Sequence, residues 1–196
     1  MYLPFLLDEN LCKTESNLPK YNSRTHFVTI GNFLHEPNYD AVLFLKHTIW
    51  PLIRKKLPNA ELHIYGAYES QKVSQLNKEK EGFIIKGFAE DANQTMQNYR
   101  VCLATLRFGA GLKGKLIDAM QNGTPCIMTS IAAEGMFGDS EANGFVEVNE
   151  HEIACKAIEL FKNEKIWREK QEYGFEILNT RFNKKYFYNF KYGCFL

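Results

Sequence analysis

Short apolar runs alternate with longer amphipathic stretches from residue 25 onward, and no other feature restricts the fold of this chain as much. The apolar runs fall at residues 26–30, 61–65, 82–86, 101–106, 125–130 and 144–148. Between or after them lie amphipathic stretches at 39–57, 70–79, 91–99, 112–122, 150–162 and 164–178. The first set is strand-length, and the second repeats apolar side chains at helical spacing. Strands joined by helix-length crossovers do not form hairpins; they pair in parallel, and a parallel sheet needs both faces covered. The pattern therefore predicts an α/β domain, doubly wound and Rossmann-like, with a mostly parallel sheet. Such sheets bind ligands beyond the carboxyl ends of their strands, which directs attention to the loops at 31–37, 66–69, 87–90, 107–111 and 130–138.

The flanks differ from this core. Residues 1–24 contain Pro4, Pro19 and a polar run at 13–17 without periodicity, so they read as a linker or interdomain arm. The domain proper is expected over 25–180. Residues 181–196 hold four basic side chains, no acidic one and seven aromatics, a composition that suits a membrane surface, an oligomer contact or a neighbouring domain. The apolar start at 1–7 is followed by Asp8 and Glu9 and is too short for a signal peptide or a membrane span. Five cysteines without CxxC spacing argue for a reducing, cytoplasmic setting and against a zinc site. A net charge of +1 gives no global field to attract nucleic acid, so electrostatic recognition must be local.

One local candidate stands out at residues 106–120. Gly109 and Gly111 open a helix whose first turn is expected to carry Lys113 and Lys115, with Asp118 about one turn further on. Cations at a helix N-terminus oppose its dipole, and a phosphate bound there would remove the conflict. On a helical projection Leu116, Ala119 and Met120 face the sheet, while Gly111, Gly114 or Lys115, and Asp118 face the crevice. Gly123 and Pro125 then stop the helix. A tight turn followed by a solvated Lys115–Asp118 pair uses the same residues, so the turn alone leaves its role open.

The neighbouring segments bear on that choice. Residues 107–125, running from Arg107 through Gly109, Ala110, Gly111, Leu112 and Lys113 to Asp118, Ala119, Met120 and then Gly123, Thr124 and Pro125, resemble a known motif. It is that of the nucleotide-binding C-terminal domain of family 4 retaining glycosyltransferases of GT-B fold. Further matches occur in the same order at 30–33, 37–41, 50–58, 62–66, 86–88 and 133–136, and the resemblance runs over about 27–162.

The resemblance implies that Asp118 binds the donor ribose and that the loop from Arg107 to Leu112, with Lys113 and Lys115, holds the pyrophosphate. It also implies that Gly31 and Asn32 bring backbone near the donor phosphate and that the base packs at Gly87 and Phe88. His35 is read as a proton partner or a solvated loop histidine, and Glu134 as a sugar contact or the cap of a following helix. Two positions depart from the pattern: Ala110 stands where relatives have the first acid of a paired-glutamate motif, and Asn32 where many have arginine. No catalytic residue is assigned.

A retaining transfer must stabilise a departing nucleotide diphosphate, and no DxD-like motif lies at a strand end, so the implied reaction needs no metal or other cofactor. The expected donor is a UDP- or GDP-sugar, and the expected product a hexosylated glycan or lipid-linked acceptor in a polysaccharide pathway, at the inner face of the membrane. The chain has length for only one of the two Rossmann-like domains, so an N-terminal acceptor domain is expected as partner. A dinucleotide-dependent oxidoreductase would need GxGxxG after the first strand, which residues 31–36 lack. A non-catalytic interaction domain that keeps the fold, with Ala110 and Asn32 as its marks, is the remaining alternative.

Overall fold

A computed structural model describes Leu7, residues 17–138 and residues 140–184 of the chain. Six short runs rich in branched and aromatic residues form strands: β1 (Thr25–Asn32), β2 (Leu62–Ala67), β3 (Phe83–Gly87), β4 (Tyr99–Ala104), β5 (Cys126–Met128) and β6 (Gly144–Val146). All neighbouring strands pair in parallel, in the order β3-β2-β1-β4-β5-β6. The doubly wound sheet expected from the alternation is the one observed. Strand order reverses between β1 and β4, and such a reversal opens a crevice at the carboxyl edge.

Alternate residues of each strand feed two separate cores, as the period of two requires. Phe27, Val101, Leu103 and Ile127 enter one core, and Val28, Cys102, Ala104, Cys126 and Met128 the other. The first is covered by α1 (Glu36–Phe44), α2 (Trp50–Lys56) and α7 (Glu150–Lys162) through Val42, Ile53, Ala157 and Leu160. The second is covered by α4 (Ala92–Gln97), α5 (Gly114–Gln121), α6 (Ser130–Ala133) and the end of α8 (Glu164–Ile177). The edge pair β5–β6 depends on a missing side chain: a Cβ at Gly144 would lie 1.6 Å from the carbonyl oxygen of Cys126.

Three helices differ from expectation. The stretch at 39–57 starts earlier and is interrupted by a π-helical segment, Leu45–Ile49. Pro51 has no N–H to give to the preceding turn, and widening that turn accommodates the gap. The helix expected at 70–79 is the single turn α3 (Gln71–Ser74). Asn77 stops it by accepting a hydrogen bond from the amide of Ile85 at 2.9 Å, while the Lys78 amide donates to Phe83 at 2.8 Å. The helix expected from 112 begins at Gly114.

The described parts of the arm are fastened to the domain. Leu18 and Tyr21 are buried, and Arg24 is fully enclosed. Arg24 donates to the carbonyls of Pro19 and Asn122 and to Thr124 Oγ1, each at 2.8 Å, and burial lowers its pKa to about 10. The Leu7 amide donates to Phe182 at 2.7 Å, and the Lys184 amide donates back to Leu7 at 3.2 Å. Phe182 itself is buried, so the expected tail begins inside the core. The other tail aromatics and the polar run at 13–16 lie outside the described residues. Among the described residues no helix is long and apolar enough to cross a membrane.

Candidate functional site

The crevice at the β1/β4 reversal is built from two loops and two helix starts. At the end of β1, Gly31 leaves room for α1 to approach: a Cβ there would lie 2.8 Å from the Asn38 side chain. Asn38 uses that closeness, donating from Nδ2 to the Asn32 carbonyl at 2.9 Å and accepting at Oδ1 from Lys115 Nζ at 2.8 Å. Lys115 is thus held between α1 and α5. Burial lowers its pKa to about 8, so near neutral pH it remains mostly a cation in a place that penalises the charge.

The loop after β4 supplies the opposite wall. Gly109 and Gly111 take φ of +118° and +80°, left-handed values that bend the loop toward Pro37 on one side and into open space on the other. Thr129 Oγ1 donates to the Leu106 carbonyl and pins the loop to the end of β5. Lys113 sits ahead of the helix rather than in its first turn, as the extended N-cap residue, and its Nζ donates to the Gly111 carbonyl. It provides no side-chain cap; the Leu116 amide donates to the Lys113 carbonyl at 2.9 Å, so the amides of Gly114 and Lys115 are the ones positioned for a ligand.

These walls enclose a cavity of about 520 Å³. Eight of the residues singled out in the sequence line it: Gly31, His35, Gly109, Ala110, Leu112, Lys113, Lys115 and Asp118. Gly111 belongs to the same loop and is exposed beside it. Asn32 adjoins the cavity, its Oδ1 accepting from the Leu34 amide at 2.8 Å. Asp118 is partly buried, and desolvation raises its pKa. The solvated Lys115–Asp118 pair is not what forms, since the Lys115 ammonium turns to Asn38.

Other singled-out residues lie elsewhere. Arg107 turns to α1, where it donates two hydrogen bonds to the Asp40 carboxylate and stacks over Phe44 at 5.1 Å. Its guanidinium is already paired and lies outside the cavity lining. Glu134 is exposed at the C-terminal end of α6, and the next helix is α7, so it caps no following helix. Gly87, at φ +72°, and the exposed Phe88 end β3, two strands away from β1. Asn38, Pro37, Phe108 and Gly114 also line the cavity. Asn38 falls in the matched stretch 37–41 but is not singled out as a site residue in the sequence, because its partners are 6 and 77 residues away.

The family model described as "Glycosyl transferases group 1" matches residues 24–163. No curated protein matches the sequence. Among solved structures, TarM of S. aureus is similar with a TM-score of 0.70 at 17% identity, over 86% of this chain and 35% of TarM. The pneumococcal O-GlcNAc transferase GtfA, solved with UDP and GlcNAc, gives 0.64 at 18% identity, over 90% of this chain and 37% of its own. The C-terminal domain of the group 1 glycosyl transferase LpcC from Francisella tularensis gives 0.61 at 18% identity, over 92% and 96%. The chain thus spans little more than a third of TarM and GtfA but nearly all of the isolated LpcC domain. It belongs to the group 1 glycosyl transferases, with the Rossmann-like fold of the C-terminal half of a GT-B enzyme.

Proposed function

We propose that this chain is the donor-binding half of a retaining glycosyltransferase, moving a hexosyl group from a UDP- or GDP-sugar to a glycan or lipid-linked acceptor. An N-terminal domain would supply the acceptor side, in the cytoplasm at the inner face of the membrane. The observation that carries the reading is Lys115, a largely buried ammonium facing the switch-point cavity with only a neutral amide for partner. Burial, with the neighbouring Lys113 charge, lowers its pKa, a strain on the ammonium that a bound diphosphate would partly relieve.

The roles follow from position. Lys113, Lys115 and the opening amides of α5 take the pyrophosphate, and their attraction grows as charge develops on the departing diphosphate. Asp118 accepts from the ribose hydroxyls in a half-buried setting where a hydrogen bond counts for more than in water. Gly31 and Gly109 keep the walls free of Cβ atoms, while Gly87 and Phe88 receive the base. Arg107 drops out of the phosphate set because Asp40 occupies it. Two lysines and a helix start supply the positive charge a metal would otherwise bring, so binding is expected to survive chelation.

Calorimetric titration with UDP, GDP and ADP, beside an Asp118→Ala variant, tests this reading. Binding by the parent chain and a roughly tenfold weaker affinity in the variant are expected, as for loss of a hydrogen bond to a charged group. Absence of binding at millimolar nucleotide would instead favour the non-catalytic interaction domain, for which Ala110 and the locally engaged Asn32 speak. Donor hydrolysis by the isolated chain would contradict the need for a second domain.

A further inference from the structure

Two basic side chains near the crevice are held by α1, and they are held in different ways. Asp40 takes the Arg107 guanidinium through two hydrogen bonds, and its carboxylate cancels the charge it holds. Asn38 takes the Lys115 ammonium at Oδ1, 2.8 Å away, and a neutral amide cancels nothing. Arg107 lies outside the cavity lining and Lys115 lies within it. One helix thus withdraws one cation from the crevice and keeps another there.

The Asn38 amide is fixed at both ends. Nδ2 donates to the Asn32 carbonyl at 2.9 Å, which leaves Oδ1 as the end that meets Lys115. A flipped amide would set its NH2 group against the ammonium and its oxygen against the carbonyl, losing both bonds. Asn38 sits this close to β1 only because Gly31 lacks a Cβ, which would stand 2.8 Å from Asn38 Cγ. An ammonium has three donors, so two remain for a ligand once Asn38 has accepted one. Among the described residues, the other titratable groups around Lys115 are Lys113 and Asp118 from α5, His35 after β1, Tyr65 from β2 and Cys102 from β4. Asp118 is the one carboxylate among the described residues that line the cavity, and the ammonium turns to Asn38 instead.

We propose that Asn38 is a positioning residue of the diphosphate site, aiming Lys115 from α1 while leaving its positive charge uncancelled for the ligand. The proposal rests on the donor-binding reading above. An aspartate in the same place would neutralise the ammonium, as Asp40 neutralises Arg107, and would repel the phosphates. An alanine would leave the ammonium without its acceptor on α1 and the Asn32 carbonyl without its donor. A neutral acceptor holds Lys115 without competing with the ligand.

Calorimetric titration of UDP and GDP into the full chain, Asn38→Ala, Lys115→Met and the double variant tests whether Asn38 acts through Lys115. At pH 7, Asn38→Ala should bind about tenfold more weakly, the size of a lost hydrogen bond to a charged group. In the Lys115→Met background the same change should cost nothing further, since no ammonium is left to aim. Asn38→Asp adds the charge test and decides alone should Lys115→Met bind too weakly to measure. A carboxylate favours the ammonium, so this variant should bind more weakly than the parent at pH 7. Its further decline with rising pH should begin above the parent's, which begins at about pH 8. Additive losses in the cycle would make Asn38 a residue of the fold alone and overturn the proposal. Parent-like affinity and pH profile in Asn38→Ala or Asn38→Asp would also overturn it, with the donor-binding reading intact. If the parent chain binds neither nucleotide, that reading itself fails and the positioning role goes with it.

Discussion

Lys115 shows how one side chain can make binding and stability answer to pH in opposite senses. Its pKa is about 8 in the folded chain against roughly 10.5 for an exposed lysine, so between those values the unfolded chain holds more protons. Stability of the free protein should therefore rise with pH across that window. A bound diphosphate favours the ammonium and raises its pKa, so nucleotide affinity should fall as pH passes 8, by up to about tenfold per unit. Titrations at pH 7 and pH 9 in buffers of different ionisation enthalpy would show both the weakening and the proton uptake; a pH-independent affinity would remove Lys115 from the site. The sequence led us to expect an anion site at this lysine through its conflict with the helix dipole. It did not reveal Asn38, whose approach depends on the absence of a Cβ at Gly31.

At the scale of elements, the informative place is the start of α5. Gly114 has ordinary backbone geometry and lines the cavity, and a Cβ added to it would meet no heavy atom within 4 Å. Gly114→Ala should raise stability by about 0.5–1 kcal/mol through the unfolded chain while narrowing the space for a diphosphate. Thermal melting and nucleotide titration on the same sample would reveal the opposed changes, and an alanine that left binding untouched would place the ligand elsewhere. Strands were legible as elements because each falls in a short apolar run between amphipathic stretches. Helix interiors were less so: the apolar periodicity continues through the π segment Leu45–Ile49, where only Pro51 marks the change. The short α3 ends because Asn77 engages a strand amide eight residues away, which no local pattern announces.

At the scale of the molecule, alternation sufficed for a parallel, doubly wound sheet, since strands joined by helix-length crossovers pair that way, while the strand order came from the structure. Long-range polar contacts were hidden. Arg24 ties the arm to Asn122 and Thr124 across about a hundred residues, and Arg107 turns to Asp40 across 67. The sequence reads Arg107 as part of the phosphate loop and does not single out Arg24 at all, because a guanidinium advertises its charge but not its partner.

The cavity lysine also has a chemical consequence. A free amine is a nucleophile, and the burial that lowers the Lys115 pKa to about 8 leaves far more of it in that form than of an ordinary lysine. An aldehyde that carries its own phosphate, followed by borohydride reduction, should therefore mark Lys115 ahead of the other amines of the chain. Excess nucleotide should shield it. Peptide mass mapping would read the result, and labelling spread evenly over surface lysines would contradict it. The crevice would then announce its position by reactivity before any transfer has been measured.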